Sequence, residues 1–333
     1  VTGVTASAPG KIVLCGEYAV LCGAPAIVTA VDRRARVALR TLDGADSIVV
    51  APGLGNGNVR FRREAPREYR WSAGRYRLVE EILEALDQPT LPSFALRLDT
   101  RDFRDRASGK KLGIGSSAAL ATALTSALVA SQASTLDVRS VAAAAHRAYQ
   151  SGTGSGVDIA SSFTGGTLRF ENGNQPSIRT VNWPAGLEYR VLWSGHPSST
   201  QEKLRRLNSR DDGDETMIAL VAAASRVAEL WEGGAAESVM VGLRDYVVQL
   251  QRFSAAHKIG VFDAGHQELL APAAARELVY KPCGAGGGDI GIVLGTNADE
   301  LQAFCRYAHG AGFTDLELAV GARGVALGSQ GTQ

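Results

Sequence analysis

Gly113 and Gly115, in KLGIGSSAAL, stand directly before a stretch from Ser116 to about Ser134 that contains no helix breaker. This junction constrains the fold strongly. A loop that lets the backbone approach a bulky neighbour must deliver the chain straight into a long helix. The N–H groups of Gly113 to Ser117 then point outward at a helix N-terminus whose dipole favours negative charge, and Ser116 and Ser117 supply hydroxyls. The segment reads as a cradle for polyphosphate, with a serine able to reach a magnesium ion. Two other readings stand beside it. Gly113, Gly115 and Ala118 satisfy the loose dinucleotide pattern G-x-G-x-x-[GA], although a polar loop precedes them and Asp137 downstream reads as the cap of the next helix. A glycine turn capped by serine is the purely structural alternative. The P-loop form is excluded, because no lysine follows Gly115.

Short β-prone runs fill the first fifth of the chain: KIVLCGEY, ARVALRTL, SIVVAP and NVRFRR, separated by Asp, Gly and Pro. Val79, Ile82, Leu83 and Leu86 recur at helical spacing and predict a helix over about Tyr76 to Leu86. FALRLDT alternates like a half-buried strand, and RDFRDRASGK reads as an exposed lid-like loop leading to the glycines. A helix over Leu136 to Gln150 carries the alanine run VAAAAH, whose small side chains permit close packing. Asn172 to Pro184 is rich in Asn, Gly and Pro and marks the approximate boundary between two domains, 1–180 and 181–333. Beyond it come strand EYRVLWSG and helices near Glu215 to Trp231, Glu237 to His257 and Gln267 to Glu277. Strands LVYKPCG and IGIVL and a helix near Ala298 to His309 complete the pattern. A strand-rich first half and a helix-rich second half predict an α+β fold with two domains.

With 35 basic and 34 acidic residues among 333, the formal net charge of +1 leaves no electrostatic footprint for nucleic acid or an anionic membrane. No apolar run reaches bilayer-spanning length, and VTGVTASAPGK does not read as a signal peptide, so a cytoplasmic location is expected. Cys15, Cys22, Cys283 and Cys305 lack C-x-x-C spacing and are expected to be buried free thiols. Five histidines without ligand spacing argue against a transition-metal site.

Two further segments point toward the glycine cradle. APGKIVLCGEYAVL, from Ala8, sets Lys11 and Glu17 in an otherwise apolar strand and turn. KPCGAGGGDIGIVL packs Gly284, Gly286, Gly287 and Gly288 between two strands and ends its turn on Asp289. So many glycines cost conformational entropy and imply close contact with a ligand or another backbone.

Together, and in this order, the three segments resemble the motifs of the GHMP kinases, the superfamily of galactokinase, homoserine kinase, mevalonate kinase and phosphomevalonate kinase. The resemblance spans Ala8 to Asp289 and implies a two-domain α+β fold with ATP and Mg²⁺ in the interdomain cleft. Tyr18 in GEYAVL, the SGTGSGVDIA segment, the aspartate ending GAGGGD, and WSGHPSSTQEKL are most similar to phosphomevalonate kinases. The substrate it implies is 5-phosphomevalonate, with mevalonate or a non-catalytic binder of the same fold as alternatives.

On this resemblance Gly113, Ile114, Gly115, Ser116, Ser117 and Ala118 bind nucleotide phosphates, and Ser116, Ser117 and Asp158 hold Mg²⁺. Lys11, Asp158 and Lys111 are the expected catalytic groups, Lys11 lying beside Asp158. Substrate contacts are expected from Lys11, Glu17, Tyr18, Ser155, Gly156, Asp158, Ser198, Ser199 and Thr200. Gly284, Ala285, Gly286, Gly287 and Asp289 complete that set. Lys203, Arg205 and Arg206 read equally well as substrate cations and as a solvated helix face. A phosphate monoester is largely dianionic near neutral pH and needs no general base, so Asp158 is expected to orient Lys11 and substrate or to help hold Mg²⁺.

Overall fold

The computed structural model describes residues 3–54, 57–88, 91–173, 175–198, 203, 207 and 214–330. Among these, two sheets and eight α-helices form the α+β architecture. The larger sheet is built on two long strands, β1 (Gly3–Cys15) and β2 (Ala26–Leu42), which run antiparallel. Its other members are β3 (Ser47–Val50), β4 (Asn58–Ala65), β5 (Glu68–Trp71), β6 (Ser93–Asp99), β7 (Thr167–Glu171) and β8 (Ser177–Val181). The early part of β2 pairs with β7 and its later part with β6, so one strand serves two neighbours. Along β6, Phe94, Leu96 and Leu98 face the core in alternation, as the period-two pattern requires.

Helix α1 (Arg77–Ala85), α2 (Ser116–Ser131), α3 (Val138–Tyr149) and α4 (Val157–Thr164) cluster with this sheet, α2 packing on β1, β2, α3 and α4. Every residue of α2 from Ala118 to Val129 is buried, which its run of alanines, leucines and a valine allows, with Thr122, Thr125 and Ser126 as its polar members. The Asp137 carboxylate caps α3, accepting from the Arg139 backbone N–H at 3.2 Å, so it serves as a helix cap as expected from the sequence.

The second sheet runs β10 (Val279–Pro282), β11 (Ile290–Gly295), β9 (Glu188–Trp193), β12 (Thr314–Leu316), all antiparallel. Around it lie α5 (Glu215–Gly233), α6 (Ala236–Ala256), the short α7 (Leu270–Ala274) and α8 (Ala298–Gly310). Strand β13 (Ala326–Gln330) returns to pair with β1 in the first sheet.

Several local expectations change. Asn172 to Pro184 contains strand β8, because Ile178, Thr180 and Val181 find an open edge on β7. The helix expected over Gln267 to Glu277 is reduced to a 3₁₀ turn, His266–Leu269, and five residues of α-helix, where Pro272 lies within the first turn and Glu277 adopts a left-handed backbone. Only Cys15 and Cys283 are buried; Cys22 is exposed at the end of a surface turn and Cys305 is half-buried on α8. No helix among the described residues is long and apolar enough to cross a membrane.

A register shift in β1 between Pro9 and Gly10 positions the site. A side chain at Gly10 would lie 2.5 Å from the Ile114 carbonyl oxygen. Without one, β1 closes on the glycine loop and the Lys11 backbone N–H donates to that oxygen at 2.9 Å. The bulge thereby aims Lys11 beside the start of α2.

Candidate active site

The loop before α2 is built on left-handed glycines, Gly113 at φ 80° and Gly115 at φ 82°. Gly115 is the N-cap residue, and no side chain caps the helix. A serine-capped turn is therefore not what forms here. The first-turn N–H groups of a sixteen-residue helix remain directed at whatever occupies the loop. Ile114 and Ala118 bury their side chains in the core and offer only backbone to a ligand, whereas Gly113, Gly115, Ser116 and Ser117 are partly exposed. Any Cβ at Gly115 would press on the Lys11 side chain at 3.1 Å.

Lys11 emerges from β1 and pairs with Asp158, Nζ to Oδ1 at 3.0 Å. Asp158 stands in the first turn of α4, whose N-cap is the left-handed Gly156. The Val157 backbone N–H reaches Ser155 Oγ at 3.4 Å. Lys11, Asp158, Ser155 and Gly156 line a cavity of about 110 Å³ together with Tyr18, Gly284 and Ala285. The Tyr18 hydroxyl donates to the Ala285 carbonyl at 2.6 Å, closing one wall of that cavity.

Glu17 lies beneath the cavity instead of lining it. It is 4% exposed and ion-paired to the fully buried Lys281. Its carboxylate also accepts from the Tyr246 hydroxyl at 2.7 Å and the Gly284 backbone N–H at 3.3 Å. One carboxylate thus joins the turn after β1 to α6, β10 and the third glycine segment.

That third segment divides its contacts. Gly284 and Ala285 face the cavity, while Gly286 and Gly287 sit against Val261 and Gly260. Asp289, left-handed at φ 56°, reaches across to the glycine loop before α2, where a Cβ on Gly113 would fall 2.2 Å from the Asp289 carboxyl carbon. Its Oδ1 accepts from the Ser198 backbone N–H at 3.2 Å, and the Ser198 hydroxyl donates to the Gly286 carbonyl at 2.6 Å. Lys203 donates to the Ile259 and Gly260 carbonyls from a buried position. Lys111 is exposed, next to the loop. Ser199, Thr200, Arg205 and Arg206 lie outside the described residues.

Burial pushes the Asp289 carboxyl up to about 6, against the opposing pull of the Ser198 N–H and the Lys11, Lys111 and Lys203 charges. A carboxyl raised from 3.8 in the unfolded chain stabilises the fold fully below pH 4 and loses that contribution as pH rises through about 6. Asp289→Asn keeps the acceptor for Ser198 and cannot ionise. Relative to the parent, its unfolding free energy in urea should increase between pH 4 and pH 8 by on the order of 2 to 3 kcal/mol. A constant difference across that range would contradict the assignment.

Among the groups of the site that were not anticipated are His146, Gln150, Tyr246 and Lys281. His146 and Gln150 line the cavity. The His146 Nε2 lies 3.0 Å from Ser117 Oγ, and burial holds its imidazole below the ordinary range, Asp158 opposing and Lys11 assisting.

The loop and uncapped helix fit a nucleotide polyphosphate: backbone donors, two glycines admitting close approach, and Lys11 within reach. No group of three or more His, Cys, Asp or Glu among the described residues could hold a metal alone. The oxygens of Ser116, Ser117 and Asp158 fit a hard cation that takes its remaining ligands from phosphate and water.

Residues 77–166, which include the whole glycine loop before α2 and Asp158, match the family described as GHMP kinases N terminal domain. The chain is 28% identical to the phosphomevalonate kinase of Streptomyces sp. (strain CL190), over 86% of this chain and 88% of that protein. It is 26% identical to the mevalonate kinase of Mus musculus, over 97% and 94%. The Streptococcus pneumoniae phosphomevalonate kinase, solved in complex with phosphomevalonate and AMPPNP, superposes with a TM-score of 0.78 at 18% identity, covering 95% of this chain and 99% of that one. The motifs, the fold and these likenesses agree: residues 77–166 match a GHMP kinases N terminal domain, and the chain has the α+β fold of these kinases and is similar over most of its length to phosphomevalonate and mevalonate kinases, which supports a phosphotransferase.

Proposed function

We propose that the protein transfers the terminal phosphoryl group of ATP, with Mg²⁺, to the phosphate of 5-phosphomevalonate, giving 5-diphosphomevalonate. The observation that carries this reading is the Lys11–Asp158 pair at the edge of the cavity. The carboxylate nearest the acceptor pocket is already committed to an ammonium. An acceptor that arrives ionised needs no base, and a phosphate monoester does so near neutral pH, its second pKa being about 6. The Streptomyces relative supports the same acceptor. In this reading residues 1–180 and 181–333 approximate two units, with the end of β8 and the returning strand β13 belonging to the first, and the reacting groups between them.

Phosphoryl transfer is chiefly positioning and neutralisation of spreading charge. The backbone of Gly113 to Ser117 and the dipole of α2 bind and orient the nucleotide phosphates. Lys11 places its charge where the moving phosphoryl group carries its own, and Asp158 fixes the direction of that ammonium. Lys111, exposed beside the loop, offsets repulsion between acceptor phosphate and nucleotide. A bound Mg²⁺, held by Ser116, Ser117 and Asp158, would supply further neutralisation of phosphate charge.

One observation favours a second reading, an alcohol acceptor such as mevalonate. Lys11 is the one lysine or arginine that lines the cavity, among the described residues, and Val13, Val20 and Leu21 line it as well. Coupled ADP release with mevalonate, 5-phosphomevalonate and homoserine offered in turn separates the readings. ADP is expected with 5-phosphomevalonate. ADP with mevalonate alone would replace the first reading by the second, and ADP with none would argue for a non-catalytic binder.

A further inference from the structure

His146 has no part in the reading above, yet it occupies the seam between the phosphate loop and the acceptor cavity. On α3 the residues Val141, Ala142, Ala145 and His146 are buried, and three of the four are small or apolar. The imidazole is 3% exposed and stacks on Tyr149 at 6.3 Å between centroids. Its Nε2 meets the hydroxyl of Ser117, the second residue of α2, at 3.0 Å, and the ring also borders the cavity that Lys11 and Asp158 line.

A serine hydroxyl at a helix start rotates freely unless something fixes it, and its two faces differ chemically. With its O–H turned toward the cleft it is a donor for phosphate oxygens. With its O–H turned inward, its lone pairs face the cleft and it is a ligand for a hard cation. Among the described residues Asp158 is the carboxylate of the proposed cation site, and it is shared with Lys11. A neutral oxygen ligand therefore carries more of the burden, and its orientation matters.

We propose that His146 is a positioning residue for the nucleotide's cation: its Nε2 accepts the Ser117 hydroxyl hydrogen bond and holds the Oγ lone pairs toward the phosphate cleft. An outer partner of this kind orients a ligand and raises its basicity, and losing one weakens metal affinity about 10- to 100-fold. The inference rests on the phosphotransferase reading but not on which acceptor is used, because nucleotide and cation bind without the acceptor.

The test is calorimetric binding of ADP to the full chain with and without Mg²⁺, in four variants. Glutamine places an amide oxygen near the position of Nε2, whereas asparagine is too short to reach Ser117. His146→Asn should lose roughly 10-fold or more of the Mg²⁺-dependent gain in ADP affinity and leave metal-free ADP affinity unchanged. His146→Gln should retain most of that gain. Adding His146→Asn to Ser117→Ala should cost no more than Ser117→Ala alone. The proposal is overturned if asparagine and glutamine behave alike, if metal-free affinity falls as much as the Mg²⁺-dependent affinity, or if the double variant loses the sum of both effects.

Discussion

Lys11→Met is expected to lower kcat about a thousandfold with little change in KM for the acceptor. The basis is the loss of one preorganised cation at the transferring phosphoryl group, where single donors contribute about 10²- to 10³-fold and cationic side chains more. The substitution also leaves Asp158, now without its 3.0 Å partner, as a bare carboxylate facing phosphates. Asp158→Asn is the informative companion. If Asp158 only directs the Lys11 ammonium and helps hold the cation, kcat should fall by roughly 10- to 100-fold, since asparagine still offers Nζ an oxygen and the acceptor needs no deprotonation. A required base or its orienting group shows losses of about 10⁴-fold. A fall of that size, with metal affinity intact, would mean that Asp158 removes a proton and that the acceptor is an alcohol.

The second large effect concerns stability. Lys281 and Glu17 are 0% and 4% exposed, and they face each other between the first and third glycine-bearing segments. Removing one member of a buried ion pair leaves the other charge desolvated and alone, which typically costs about 3 to 5 kcal/mol. Lys281→Met should therefore lower the unfolding free energy by about 3 to 5 kcal/mol, a large part of a domain's typical total of about 5 to 15 kcal/mol, and move the urea midpoint down accordingly. Glu17→Leu combined with Lys281→Met should be destabilised by less than the sum of the two single changes, because no lone charge remains. It should not return to the parent value, since Glu17 also accepts from Tyr246 and from the Gly284 N–H that shapes the cavity wall. Additive single effects would show that the pair is not coupled.

The parts of this site that were legible in the sequence are those where backbone shape is encoded in residue type. Gly113, Gly115 and the glycines after Cys283 announce close approach, and the breaker-free run after Gly115 announces the helix that orients the loop. Strands with period-two burial, such as β6, were equally readable. What escaped depends on partners far away in the chain. Glu17 and Lys281 are 264 residues apart, and nothing in KPCGAGGG says that its lysine is buried. Glu17 was accordingly expected against substrate when its carboxylate is consumed within the fold. His146 was hidden in VAAAAH, where four alanines suggest a packing surface and the histidine that follows them belongs to no recognisable ligand spacing. Strands β8, β12 and β13 are short and carry weak patterns of their own, and each forms because a neighbouring strand presents an open edge.

The acceptor atom proposed above is a phosphate oxygen. ³¹P NMR of the product formed from ATP and 5-phosphomevalonate tests it most directly. Two mutually coupled phosphorus resonances from a P–O–P linkage are expected in the product, appearing in step with ADP. A product with two uncoupled monoester resonances, formed by transfer to the remaining hydroxyl, would contradict it.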